Sequence, residues 1–462
     1  MTNQQSLFLS GPHAPMRSEG VTHDLAVIGE IPVELSGTLY RQSANPFFDP
    51  LDPTRYHWFE GDGMIFALSL RDRKASLKHR YVETAGLKAE RAAGHALYGS
   101  MICGGTPPVP SPNQPMMKNP GNTNVTVFGG RLLAFAEIDL PHELDRNTLE
   151  TIGLFNFGSV EGAVTAHWKI DPENGDLLFY GVNGPRIDWY RADKTGRVVE
   201  TYGFDIGQLS LVHDFAVTPD YAVFFINPTL MDPANIMAGK PGLVWDGDVP
   251  CRVAVLRRAN GEVLWFDAPD AFSNTHFLNA WQDGDTIVVD GNRAPYMGTP
   301  KSRIDQPIPR QWFQPATPWR WTLDVAARTY RAEQTTDVNS EFPRMNDAYC
   351  GKKARYGYLA ATKGPEFLKD WFFDHIIKHD LQTGEAEFFN PGHGLTAPGE
   401  MVFIPRADAK AEDDGWIVGP WWNMEEDRTE FVILDAQSLS TAARIQLPYR
   451  MPLGFHGNWI AD

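Results

Sequence analysis

Three histidines occupy one place in a repeating pattern. His167 stands 8 positions before Gly175, His213 stands 7 before Asp220, and His276 stands 8 before Gly284. Each of those Gly or Asp residues opens a turn that leads into a short apolar run. Thr123 holds the same phase, 7 positions before Gly130. Equivalent positions of a closed ring of repeats face one centre, so the three imidazoles are expected to converge, with Thr123 beside them. His456, in MPLGFHGNW and 6 positions from the end of the sequence, is the fourth candidate. A ring of repeats is commonly closed by pairing its two ends, which would bring His456 to the others. Neutral imidazole is the commonest metal ligand near neutral pH. Four converging imidazoles would hold a borderline divalent metal such as iron, copper, nickel or zinc. Other histidines, including His142, His375 and His379, lack this phase and are read as surface or loop residues.

The elements that must carry these residues are short strands. GGRLLAFA from Gly129, NGDLLFYG from Asn174, PDYAVFFI from Pro219 and NGEVLWFD from Asn260 share one form. So do DGDTIVVDG from Asp283, YGYLAAT from Tyr356, DDGWIVG from Asp413 and TEFVILDA from Thr429. Each reads as the second arm of a β-hairpin: the turn residues tolerate tight backbone, and branched and aromatic residues suit a strand. Successive turns at Gly130, Gly175, Asp220 and Gly261 are 45, 45 and 41 positions apart. A period near 40–45 residues with several short strands predicts an all-β chain folded as a β-propeller. Residues 86–121, 228–250 and 293–320 break the pattern with Pro, Gly and aromatic residues. Long structured insertions on a scaffold usually carry function, and these are read as a cap over one face.

Bulk properties narrow the partners. The formal net charge is −17 and no basic stripe offsets it, which excludes nucleic acid as a natural partner. Cys103, Cys251 and Cys350 are odd in number and far apart, unlike a disulfide framework or a cysteine zinc site; a reducing cytoplasm is expected. The first twenty residues lack the basic start and apolar run of a signal peptide, and no stretch has the length of a membrane-spanning helix. Peripheral contact with a membrane stays open. Large β architectures often use this length for one domain, so residues 1–462 are read as a single domain.

The local sequences around these positions resemble the carotenoid cleavage oxygenase family. The resemblance rests on NPFFDP, HWFEGDGM, TAHWKIDPENGDL, LVHDFAVTPDYAVF, FLNAWQDG, SEFPRMN, GEMVFIPR, EDDGWIV and GFHGNW, in consistent order from about Gly29 onward. It implies a seven-bladed propeller with a dome of loops and helices over the axis. It implies Fe(II) on His167, His213, His276 and His456, with dioxygen as co-substrate and a small apolar alkene cleaved to two carbonyl products. It implies that Glu137, Glu341 and Glu400 each hydrogen-bond a ligand histidine, and that Thr123, in the matching NTN segment, crowds one open coordination position. The chemistry is coherent. A carboxylate on the outer N–H of an imidazole fixes its tautomer and raises its basicity. Four protein ligands on a six-coordinate ion leave positions for dioxygen or water.

One departure bears on the substrate. The stilbene-cleaving branch carries a lysine before the first glutamate, which with an upstream tyrosine binds the phenolic oxygen. Here that position is Ala136. Without the lysine a phenolate has lost its stabilising charge. An apolar polyene such as an apocarotenoid is therefore the expected substrate, with Tyr98 the nearest candidate tyrosine and Lys118 a possible replacement cation. The alternatives are stilbene or phenylpropene cleavage, a retinoid-type isomerohydrolase on the same centre, and a non-enzymatic propeller scaffold.

Overall fold

The sheets follow from the turn-and-strand units. In the computed structural model, which describes residues 6–107, 111, 115–171, 173–305, 315–364 and 372–462, seven antiparallel sheets of four or more strands form a propeller. Blade I runs from the inside outward through Gly454–Ala461, Gly37–Ala44, Gly63–Arg71, Lys74–Tyr81 and Gly20–Thr22. Blades II, III and IV begin on the axis with Asn124–Phe128, Lys169–Ile170 and Ala216–Val217. Blades V and VI begin with Ser273–Asp283 and Asn339–Arg344. Blade VII has a split inner edge, Leu395–Thr396 and Val402–Pro405, and an outermost strand from the other end of the sequence, Ala26–Gly29. The ring is thus closed twice: Gly454–Ala461 completes blade I from within, and Ala26–Gly29 completes blade VII from without.

Burial explains why the second strands were easy to see. Tyr221–Ile226 is packed on both faces between blades, and all six residues are buried, giving the continuous apolar run YAVFFI. Val198–Asp205 at the outer rim alternates half-buried and exposed residues along most of its length. The cores lie between neighbouring blades. Phe225 and Val255 of blade IV meet Phe277 and Trp321 of blade V, while Leu39 and Phe66 of blade I meet Val418 and Phe431 of blade VII. Each such fully buried side chain contributes about 1.5–3 kcal/mol relative to exposure.

The period read from the turns departs from the structure at one place. Gly261 is the turn between the third and fourth strands of blade IV, and the next inner turn is at Gly284, 64 positions after Asp220. The offset comes from an insertion between the second and third strands of blade IV, which holds Thr229–Met231, the short helix Pro233–Met237 and Leu243–Trp245. Those two strands and Thr299–Pro300 make a separate three-stranded sheet. With the helix Ala85–Ala93 it forms the cap. Thr84 accepts from Leu87 N at the helix start, and Gly94 ends it in the left-handed region at φ 78°. Parts of the expected cap, residues 108–110, 112–114 and 306–314, lie outside the described residues. His142 and His379 are strand residues buried between blades rather than surface groups, and burial lowers both to about 4, so each stays neutral.

Candidate metal centre

Each blade delivers one residue to the axis from its innermost strand or the segment entering it. His456 lies in Gly454–Ala461 of blade I and His276 in Ser273–Asp283 of blade V. His167 and His213 stand just ahead of the inner strands of blades III and IV, and Thr123 just ahead of that of blade II. Glu341 lies in the inner strand of blade VI, and Glu400 between the two inner pieces of blade VII. Glu137 follows the second strand of blade II, Arg131–Phe135. The ring therefore places four histidines, one threonine and two glutamates around one centre, and a third glutamate enters from the side.

One ligand nitrogen from each of His167, His213, His276 and His456 fits in a group no more than 4.8 Å across. His213 Nε2 is 3.0 Å from His167 Nε2 and 3.1 Å from His276 Nε2. The outer nitrogens meet carboxylates. Glu137 Oε1 is 2.5 Å from His213 Nδ1, Glu341 Oε2 is 2.5 Å from His276 Nδ1, and Glu400 Oε1 is 2.8 Å from His456 Nδ1. Among the described residues no carboxylate pairs with His167. Thr123 donates to Asn122 Oδ1 at 3.1 Å and its carbonyl accepts from His456 N at 3.2 Å, and it lines the same cavity as His213, His276 and His456.

The electrostatics suit metal binding. Burial, then the neighbouring imidazoles, hold His167 well below its ordinary value. Burial brings His456 down to about 4 although Glu400 opposes it. Burial also disfavours charge on His213, but the Glu137 contact outweighs it and leaves that imidazole raised. Burial resists ionisation of Glu400, yet Arg344, His456 and Arg41 together bring it down to about 2. Partial burial also resists ionisation of Glu341, yet His276, Thr275 and Phe342 N hold it below its ordinary value.

Several residues at the site had no signal in the repeat pattern. Arg41 and Arg344 converge on Glu400 from blades I and VI. Phe342 stands over the site, with its ring centroid 5.5 Å from that of His276 and 5.6 Å from that of His456. Its φ of 55° falls at a shift in strand register between Glu341 and Arg344. Left-handed backbone at a bulky residue costs about 1–3 kcal/mol and persists only where the surroundings impose it. Here the carboxylate of Glu341 accepts from Phe342 N at 2.9 Å, which locks the kink to the histidine partner.

The histidines separate two cavities. The one beneath the cap is mainly apolar, lined by residues such as Phe48, Phe59, Ile102, Met117, Leu211 and Phe455. The one on the opposite face is lined by charged groups including Lys169, Asp214, Arg344, Asp347 and Lys352. Ala136 and Glu137 face the apolar cavity, as do Tyr98 and Lys118. Lys118 Nζ is held at 2.6 Å by both Asp62 and Glu90, and the Tyr98 hydroxyl is buried with no hydrogen-bond partner among the described residues.

Fold and site together define a propeller enzyme with a four-histidine metal centre opening onto an apolar substrate cavity. The sequence profile of the family described as RPE65, retinal pigment epithelial membrane protein, matches residues 13–461. The chain belongs to this RPE65/carotenoid cleavage oxygenase family of alkene-cleaving oxygenases. It is 31% identical to the isoeugenol monooxygenase of Pseudomonas nitroreducens, over 99% of this chain and 98% of that protein. The crystal structure of Pseudomonas brassicacearum lignostilbene dioxygenase superposes with a TM-score of 0.90 at 31% identity, covering 99% of both chains. Cobalt-substituted Synechocystis apocarotenoid oxygenase superposes with a TM-score of 0.87 at 27% identity, covering 97% of both chains.

Proposed function

We propose that the four histidines hold Fe(II) and that the chain uses dioxygen to cleave one conjugated C=C bond of an elongated apolar alkene, one oxygen atom going to each of two carbonyl products. The observation that carries this is the convergence of four imidazoles, three of them backed by carboxylates, at the wall of the apolar cavity. Four imidazoles backed by three carboxylates would hold a borderline divalent ion such as Fe(II). Bound Fe(II) supplies open positions where dioxygen can be activated beside the alkene.

The chain's own residues do the rest. Glu137, Glu341 and Glu400 keep the outer nitrogen of their imidazoles protonated and the inner one free to ligate. Thr123 crowds the ligand sphere from blade II. The apolar wall beneath the cap binds the hydrocarbon and excludes water. Isoeugenol, lignostilbene and apocarotenoids, named for the relatives, share a double bond conjugated with an aromatic ring or polyene, and the cavity suits that class. Within it we favour apocarotenoid-like substrates. Ala136 brings no charge, and Lys118 is already neutralised by Asp62 and Glu90. Among the described residues lining the cavity a buried phenolate would find no free cation, and desolvation disfavours it. The unpartnered Tyr98 hydroxyl can still bind a neutral oxygen at one end of the substrate. Three unpaired cysteines suit a reducing cytoplasm, and no helix among the described residues is long and apolar enough to cross a membrane.

The test is product analysis of iron-loaded protein on resveratrol, its 4′-methoxy analogue and an apocarotenal. Turnover of the apocarotenal and the methoxy analogue to two carbonyl fragments is expected. Cleavage of resveratrol alone would show that an ionisable phenol is required, and a single rearranged alcohol would point to isomerohydrolase chemistry instead.

A further inference from the structure

The three histidine–carboxylate pairs are not equivalent. Glu341 accepts only from neutral donors besides His276, namely Thr275 Oγ1 and Phe342 N. Among the described residues no arginine or lysine pairs with Glu341 or Glu137. Glu400 instead sits between two guanidiniums, Arg41 buried and Arg344 half-buried. Arg344 Nη1 is 3.3 Å and Arg41 Nη1 3.5 Å from Glu400 Oε2, which also accepts from Gly457 N at 3.0 Å. The same arginines grip the backbone on both sides of His456. Arg41 Nη2 donates to Phe455 O at 2.9 Å and Arg344 Nη1 to Gly457 O at 3.0 Å. Arg41 also donates to the Glu400 carbonyl at 2.8 Å.

We propose that Arg41 and Arg344 are positioning residues that set the charge of the metal centre as well as the place of His456. Three carboxylates and a divalent ion sum to a net negative charge, and the two guanidiniums bring that sum to a net positive one. The interior screens this poorly, because Arg41 and Glu400 are buried in the seam between blades VI, VII and I, with Arg344 half-buried where that seam meets the charged cavity. Surroundings made less negative favour the ferrous over the ferric ion. It also draws Glu400 away from His456, so that His456 donates less strongly than His276, whose carboxylate has no such competitor. The chain thereby holds iron in the reduced state that can take up dioxygen.

This rests on the site holding iron, so iron content is measured first, and a chain that binds none fails that reading rather than this one. On iron-loaded protein the Fe(III)/Fe(II) midpoint potential is then followed by potentiometric titration with the ferric EPR signal. Arg344→Gln is expected to shift the equilibrium at least tenfold toward Fe(III), a fall of 59 mV for one electron. Arg344→Lys, which keeps the charge and loses the forked geometry, is expected to stay near the wild-type potential. Asp347→Asn removes an exposed carboxylate 3.3 Å from Arg344 and is expected to raise the potential. If Arg344→Gln and Arg344→Lys shift alike, the arginine acts only through geometry and the proposal fails. If Arg344→Gln does not fold, Asp347→Asn decides, and an unchanged potential there overturns the proposal.

Discussion

Replacing Glu341 with glutamine isolates the charge of a histidine partner from its shape. Oε2 of Glu341 accepts from His276 Nδ1 at 2.5 Å and Phe342 N at 2.9 Å, and Oε1 accepts from the Thr275 hydroxyl. A glutamine with its carbonyl at the Oε2 position keeps both N–H donors. Its amide then faces Thr275, whose hydroxyl can turn to accept. No polar group is orphaned, so the loss is that of the charge assistance alone. Charge-assisted bonds are worth about 1.5–3 kcal/mol against about 0.5–1.5 for neutral ones, a difference near 1.4 kcal/mol. That is about tenfold in metal affinity, with the thermal midpoint of the metal-free chain little changed. Glu341→Ala leaves His276 Nδ1 and Phe342 N without their acceptor, which adds about 1–3 kcal/mol and takes the loss toward a hundredfold or more, with a lower midpoint. Competition of the metal-free protein against a chelator of known affinity measures both. A Glu341→Gln protein that binds iron within twofold of wild type would refute the argument that the carboxylate charge strengthens His276.

Three other outcomes follow from the same geometry. Alanine at any one of His167, His213, His276 or His456 should strongly reduce bound iron by elemental analysis, and a quadruple variant that keeps stoichiometric iron would place the site elsewhere. The metal-free chain should lose stability as pH falls from about 6.5, because His456 is lowered to about 4 and Glu400 to about 2. The unfolded state then binds more protons, so stability present at neutral pH is lost through His456 between about 6.5 and 4 and through Glu400 between about 4.5 and 2; urea melts at pH 7, 5.5 and 4 that coincide would contradict this. Lys118→Met should loosen the cap by about 3–5 kcal/mol, since Asp62 and Glu90 are left buried without their shared cation, and denaturant melts would report it.

The histidines were legible because of tight turns. In blades II to V the inner strand returns at once through Gly130, Gly175, Asp220 or Gly284, so distance from the turn equals distance from the axis. Glu341 and Glu400 hold the same station but had no visible phase. After Arg344 the chain detours through Asp347–Tyr349 before its second strand at Tyr356, and after Pro405 it detours to Gly415. Only the surrounding motifs marked those two positions. Arg41 and Arg344 were beyond the reach of periodicity, because what matters about them is a meeting of blades I, VI and VII around one carboxylate. Gly261 shows the converse error, a turn of the right composition at the wrong station in its blade.

The double closure of the ring has a thermodynamic corollary. His456 belongs to Gly454–Ala461, which pairs with Gly37–Ala44 more than 400 positions away, whereas the other three histidines lie on blades III to V. An ion bridging all four therefore fastens the seam: its binding free energy opposes release of the closing strand and leaves motions within blades III and IV nearly untouched. Amide hydrogen exchange should register this as metal-dependent protection concentrated in residues 454–461 and 37–44, a closure between the two ends of the sequence being also the one the metal guards.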